Sequence, residues 1–197
     1  MKRLIVITTP YFFGQEGPVV SALFDEGMEC LHVRKPGCSR DELVRLLKEI
    51  PEMYHPRIRL HDHFELYDRF RIGGLHLNKR NHSVPPGYKG CISRSCHSLQ
   101  EVKENDRLDY VFLSPVFRSI SKEGYGSGFS IDTLRKASDD GIINEKVIAL
   151  GGMDMHTIPA VADMNFGGVA VLGALWGIRP EEKEPALILE QYKRLQP

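Results

Sequence analysis

Eight short β-rich runs, each separated from the next by a helical pattern or a turn, constrain this chain more than any other feature. The runs fall at residues 4–8, 30–34, 57–61, 75–77, 91–95, 110–113, 147–150 and 168–171. Helical periodicity fills most gaps, at 19–26, 41–50, 64–70, 99–104, 131–138 and 157–164, with a last helix from about 181 to 195. Ser39 with Glu42 has capping-box spacing ahead of the second helix, and Ser98 with Glu101 repeats it. Strands alternating with helices specify a parallel α/β fold. Eight units in 197 residues predict a (β/α)8 TIM barrel at the short end of its size range, with residues 1–197 as a single domain. The rival is a doubly wound open sheet, which carries a glycine fingerprint after its first strand. Here that strand runs into Thr8-Thr9-Pro10-Tyr11, and the glycine pairs come late.

Side-chain parity within the strands carries the first functional signal. Parallel strands buried on both faces are normally apolar throughout. In the run 30–34, Leu31 and Val33 share one face while His32 and Arg34 share the other. In 57–61, Ile58 and Leu60 oppose Arg59 and His61, and in 75–77 only His76 is polar. The apolar set meets the helices, and the polar set looks into the barrel, where its cost is offset only by hydrogen bonds or a ligand. A lone inward histidine is ordinarily a satisfied core residue; three strands with the same parity favour a working site.

Phosphate chemistry is suggested by three segments. Val147–Leu150 ends in Gly151-Gly152, and Gly168–Val171 is followed by Leu172-Gly173 and the start of a short helix. The loops after strands seven and eight form the phosphate site of many barrels, and glycine lets backbone amides approach the oxygens. After the strand at 110–113, a long loop carries Arg118, Ser119, Ser121, Lys122 and several glycines, a composition suited to a phosphate ester. Asp62, at the end of a strand, is either a magnesium ligand or a helix N-cap. A zinc site from His61, His63 and His76 lacks familiar ligand spacing.

Composition narrows the partners. Lys+Arg and Asp+Glu are both 26, so net charge is zero, which argues against nucleic acid or an anionic membrane as the main partner. No apolar run approaches the roughly 18 residues of a membrane span. Four cysteines without a CxxC pair fit reduced thiols and a cytoplasmic location. The partners expected are small molecules and, for assembly, further copies of the chain in a homo-oligomer.

From residue 4 to residue 176 these elements resemble the thiamine phosphate synthase/TenI family of barrels. That family's second strand reads roughly Gln-Leu-Arg-Glu-Lys, against His32-Val33-Arg34-Lys35-Pro36 here; its third-strand Asn-Asp matches His61-Asp62. Its fourth strand, Gly-Val-His-Leu-Gly-Gln-Glu-Asp, matches Gly74-Leu75-His76-Leu77-Asn78-Lys79-Arg80-Asn81, and its fifth-strand serine matches Ser95. Its sixth, Gly-Pro-Ile-Phe-Pro-Thr-x-Thr-Lys, matches Ser114-Pro115-Val116-Phe117-Arg118-Ser119-Ile120-Ser121-Lys122. The resemblance implies that hydroxymethylpyrimidine diphosphate loses pyrophosphate and is captured by a thiazole phosphate, with magnesium as cofactor. It implies that Arg34 and Lys122 contact pyrophosphate, that Asp62 and Asn81 take the metal positions, and that Ser95 lies near the pyrimidine diphosphate. It assigns Ser119, Ser121, Gly151, Gly152, Leu172 and Gly173 to the thiazole phosphate. The family's second magnesium carboxylate is Asn81 here, and the lysine two past the arginine is Pro36, with Lys35 beside it. The alternatives are a TenI-like thiazole tautomerase and a non-catalytic thiazole-phosphate binder. TenI's sixth-strand histidine is Pro115 here, which leaves His32 or His61 as its acid/base.

Overall fold

A computed structural model describes residues 3–117 and 128–196. Strands β1 (Leu4–Ile7), β2 (Cys30–Val33), β3 (Ile58–Leu60), β4 (Gly74–Leu77), β5 (Cys91–Cys96), β6 (Tyr110–Leu113), β7 (Val147–Leu150) and β8 (Gly168–Val171) pair in parallel, in chain order. β8 returns to β1, with Val6 opposite Val171, and the sheet closes. The expected (β/α)8 barrel is the fold.

Helices α1 (Glu16–Asp25), α2 (Arg40–Glu49), α3 (Leu99–Glu104), α4 (Ile131–Asp139), α5 (Gly173–Trp176) and α6 (Pro185–Leu195) cover the outside. Outward strand residues such as Leu31, Val33, Leu60 and Val111 join Val20, Leu23, Leu47 and Leu134 from the helices in one continuous core. Each such fully buried aliphatic side chain contributes roughly 1.5–3 kcal/mol. Ser39 begins α2 with a complete capping box. Ser98 begins α3 with half of one: its hydroxyl accepts from the Glu101 amide, while the Glu101 carboxylate accepts from the amide of His97.

Two expected helices are replaced by short 3-10 turns, Phe64–Leu66 and Ile158–Val161. His63 and Arg71 flank the first with positive φ (54° and 52°), and Asn165 follows the second at 56°. Left-handed residues end a helix wherever they occur. The last helix starts at Pro185, not near 181, because a proline at the first helical position has no amide to leave unsatisfied. The first starts earlier than expected, at Glu16, with consequences described below.

The barrel interior is divided. Ile5, Ile7, Phe112, Ile148 and Ala170 form a separate apolar cluster on the side of β1, β6, β7 and β8. On the β2–β5 side the buried inward residues are His32, His61, His76 and Ser93, with Arg59 half-buried beside His32. Trp176, fully buried, donates its indole N–H to the Ile7 carbonyl at 2.7 Å and ties the chain after β8 back to β1.

Candidate active site

The register of β2 to β5 stacks the polar side chains into one layer. His32 pairs with Arg59 and His76 with Ser93 across the sheet, so His32, His61 and His76 project inward from neighbouring strands. His32 Nδ1 shares a hydrogen bond with His61 Nε2 at 2.9 Å, and His32 Nε2 shares one with the Tyr110 hydroxyl at 2.6 Å. His76 binds Ser93 Oγ through Nδ1 and Ser95 Oγ through Nε2, both at 2.9 Å. The His61 and His76 rings stack at 4.1 Å, and Phe112 tilts over His32 and His76 from the apolar side.

Burial holds all three imidazoles neutral. It pushes His32 and His61 well below 6.5 and His76 down to about 3, and the Arg34 charge adds to the effect at His61 and His76. Burial likewise keeps Tyr110 protonated, well above 10. The chain Tyr110–His32–His61 is therefore a relay of neutral donors and acceptors. The three histidine ligand atoms lie within 4.8 Å of one another, the spacing of a transition-metal site. Arg34 and Arg59 direct positive charge at this cluster and most of its nitrogens already bind hydroxyls or one another. A hydrogen-bonded network accounts for the arrangement better than a cation does. His63, weighed in sequence as a zinc ligand, points elsewhere, to the Cys38 carbonyl and Glu65.

At the mouth above this layer, the loop after β4 is folded onto the end of β3. Asn78 and Asn81 both donate to the His61 carbonyl, at 2.7 and 2.9 Å. Asp62 accepts from Arg80 Nε and Nη2, both at 3.0 Å, and from Asn81 Nδ2 at 3.1 Å. A cleft of about 670 Å³ opens here, lined by Asp62, Arg80, Asn81, His63, Cys38 and Pro85 among others. Asp62 and Asn81 are thus neighbours, as the resemblance requires, and His63 rather than Asp62 takes the N-cap position of the following turn. Magnesium takes oxygen ligands, with one or two carboxylates and substrate phosphates in an octahedron. Here both oxygens of the one carboxylate are engaged by a guanidinium. The Asn81 amide is oriented by the His61 carbonyl, which only accepts, so its NH2 faces Asp62. This donor set does not fit magnesium.

Lys35, which sequence places beside the missing lysine, does not reach the mouth. Its ammonium donates to both Glu16 oxygens, at 2.5 and 2.7 Å, to the Tyr11 carbonyl at 2.5 Å and to Thr9 Oγ1 at 3.3 Å. Both partners are about 1% exposed. The early start of α1 is what brings Glu16 under β2. Arg34 is half-buried at the end of β2, its amide donating to Thr8 Oγ1 at 2.9 Å.

Across the barrel, Gly151 and Gly152 have positive φ (93° and 65°) at the end of β7. A Cβ on Gly151 would lie 2.8 Å from Pro115 Cα. The Phe117 amide donates to the Gly151 carbonyl at 3.1 Å, so the chain leaving β6 runs along this turn. After β8, Leu172 precedes α5; a Cβ on Gly173 would meet no described atom within 4 Å. Ser95 is half-buried, held by His76. Ser119, Ser121 and Lys122 lie outside the described residues. Sequence reasoning missed Arg80, Glu16 and Tyr110 as partners. Only the parity of Tyr110, which shares the inward face with Phe112, was visible beforehand.

Comparisons with known proteins agree with the fold. The family model described as thiamine monophosphate synthase matches residues 4–175. A thiamine-phosphate synthase from Latilactobacillus sakei is 24% identical over 173 residues, covering 80% of this chain and 76% of that protein. A putative thiamine-phosphate synthase from Geobacter sulfurreducens is 25% identical over 181 residues, covering 87% and 84%. The crystal structure of a thiamine phosphate pyrophosphorylase from Bacteroides thetaiotaomicron is 42% identical, covers 98% of this chain and 95% of its own, and superposes with a TM-score of 0.88. A Pyrococcus furiosus structure at 19% identity and TM-score 0.71 shares the fold, covering 98% and 96%. With the model match spanning nearly every strand and helix of the barrel, the chain belongs to the thiamine monophosphate synthase family.

Proposed function

We propose that this protein makes thiamine phosphate, joining hydroxymethylpyrimidine diphosphate to thiazole phosphate with release of pyrophosphate. One observation carries the reading: the barrel mouth has two anion-suited walls on opposite sides. Arg34, Arg80 and Ser95 stand over β2 to β5, and the glycine turns at Gly151-Gly152 and Gly173 stand over β7 and β8. Two phosphorylated substrates need two such walls.

In the reaction, the bond from the pyrimidine methylene carbon to the diphosphate oxygen breaks, and both electrons leave with pyrophosphate. The thiazole nitrogen lone pair then forms the new carbon–nitrogen bond. The protein's contribution is proximity and electrostatic support of the leaving group by the Arg34 side, with Lys122 assigned there by motif. Ser119 and Ser121 are assigned to the thiazole phosphate on the same basis. Neutral imidazoles beneath the site add polarity without a charge that would compete with the transient cation. The test is incubation of purified protein with both precursors, with and without magnesium. Failure to form thiamine phosphate at any magnesium concentration sinks the proposal.

The neutral chain Tyr110–His32–His61 favours a second reading, isomerisation of a thiazole carboxylate phosphate with an imidazole as acid/base. Full isomerase activity in both His32→Ala and His61→Ala variants would refute those roles.

A further inference from the structure

We propose that Arg80 is the resident cation of the diphosphate site, and that diphosphate binds there through guanidinium donors without a divalent metal. The inference rests on the reading that the mouth takes a diphosphate ester, and it replaces the metal that the family resemblance implied.

The geometry is specific. Arg80 spends Nε and one Nη2 proton on Asp62, at 3.0 Å each. A guanidinium has five N–H donors, so three remain for a ligand. The arginine side chain is 49% exposed against 14% for its carboxylate anchor, and both line the cleft. The loop that carries it is fixed independently of the side chain. Asn78 Oδ1 accepts from the amides of Arg80 and Asn81 at 2.9 and 3.2 Å, while Asn78 Nδ2 donates to the His61 carbonyl at 2.7 Å. Arg80 is therefore held in place before any ligand arrives, which lowers the ordering cost of binding.

Charge points the same way. Arg34 and Arg80 both bear electrostatically on His61, from the ends of β2 and β4. The neutral Asn81 adds no second carboxylate to Asp62, the one that binds Arg80. A phosphate oxygen pair matches the guanidinium fork as a carboxylate does, with charge-assisted bonds roughly twice as strong as neutral ones.

Calorimetric titration of inorganic pyrophosphate into the protein tests this, once in EDTA and once in excess magnesium. The expected result is binding in EDTA that magnesium improves by no more than about threefold. Arg80→Gln should weaken metal-free binding by about tenfold or more, the loss expected for hydrogen bonds to a charged group, and Arg80→Lys should fall between, keeping charge without the fork. Thermal unfolding of both variants checks that each is folded. Pyrophosphate binding that appears only with magnesium, or that Arg80→Gln strengthens by releasing Asp62 to a metal, overturns the proposal. The two readings fail separately. Thiamine phosphate formation that requires magnesium would refute the metal-free site and leave the proposed reaction standing. Metal-free pyrophosphate binding without product formation would do the reverse.

Discussion

Replacing Lys35 by methionine removes the one cation that a buried carboxylate depends on. Methionine fills much of the same volume, so the change isolates charge from packing. Glu16 is about 1% exposed and loses both of its Lys35 hydrogen bonds, at 2.5 and 2.7 Å. Breaking a buried pair by removing one partner costs about 3–5 kcal/mol. At about 2–4 °C per kcal/mol for a chain of this size, the melting temperature should fall by roughly 6–20 °C at pH 8. The loss should be smaller in acid. Burial holds Glu16 up at about 7 even with Lys35 beside it, and removing Lys35 raises it further. The folded state then binds a proton that the unfolded chain, near 4.5, does not hold. Between those values stability rises as pH falls. The measurement is urea unfolding of wild type and Lys35→Met at pH 5.5 and pH 8, read as the difference between them. That difference cancels the histidines, which titrate in the same window with opposite sign. The double variant Glu16→Leu with Lys35→Met should recover most or all of the stability, since an apolar pair often replaces a buried ion pair without loss. A deficit below about 1 kcal/mol at pH 8, or a double variant no better than the single, would show that the pair is not the buried, mutually dependent contact described above.

Gly173→Ala should leave stability within about 0.5 kcal/mol, because the new methyl meets no described atom within 4 Å; weakened thiazole phosphate binding by calorimetry is the expected effect, and unchanged affinity would remove Gly173 from the site. Tyr110→Phe strips His32 Nε2 of its 2.6 Å partner and should cost about 1–3 kcal/mol in chemical denaturation. Wild-type stability should fall as pH drops below 6.5: burial depresses His32, His61 and His76 in the folded state, so the unfolded chain takes up more protons there. A stability profile flat between pH 6.5 and 5 would contradict their neutral burial. Ser39→Ala removes half of the α2 capping box and should cost about 1 kcal/mol, seen as a lower urea midpoint.

What the sequence made legible followed from local rules. The strands Tyr110–Leu113, Val147–Leu150 and Gly168–Val171 have the bounds their apolar runs suggest, because each is an apolar run buried in the barrel wall, and the first two stop at Ser114 and Gly151. Parity placed His32, His61 and His76 inside, since a period of two leaves no choice once Leu31, Leu60 and Leu75 face the helices. The segments 64–70 and 157–164 were misread because positive φ at His63, Arg71 and Asn165 is a tertiary outcome that apolar spacing does not encode. The partners of Asp62 and Lys35 were hidden for the same reason. Arg80 is 18 residues from Asp62, and Glu16 is 19 from Lys35, and only closure of the barrel and the early start of α1 bring them together.

The buried polar groups answer one physical problem in two ways. A barrel that binds anions at its mouth needs polar groups below the ligand, yet a net charge in the interior carries a large desolvation cost. Beneath α1 the chain solves this with a cation and an anion locked together, Lys35 and Glu16, which leaves neither available to a ligand. Beneath the mouth it uses imidazole, which both donates and accepts while neutral. His32 satisfies His61 and Tyr110 at once, and His76 satisfies Ser93 and Ser95. The imidazoles of this layer stay neutral, and the cations Arg34, Arg59 and Arg80 lie around it. On the reading proposed above, the guanidinium that Asp62 already holds is the group that meets the diphosphate.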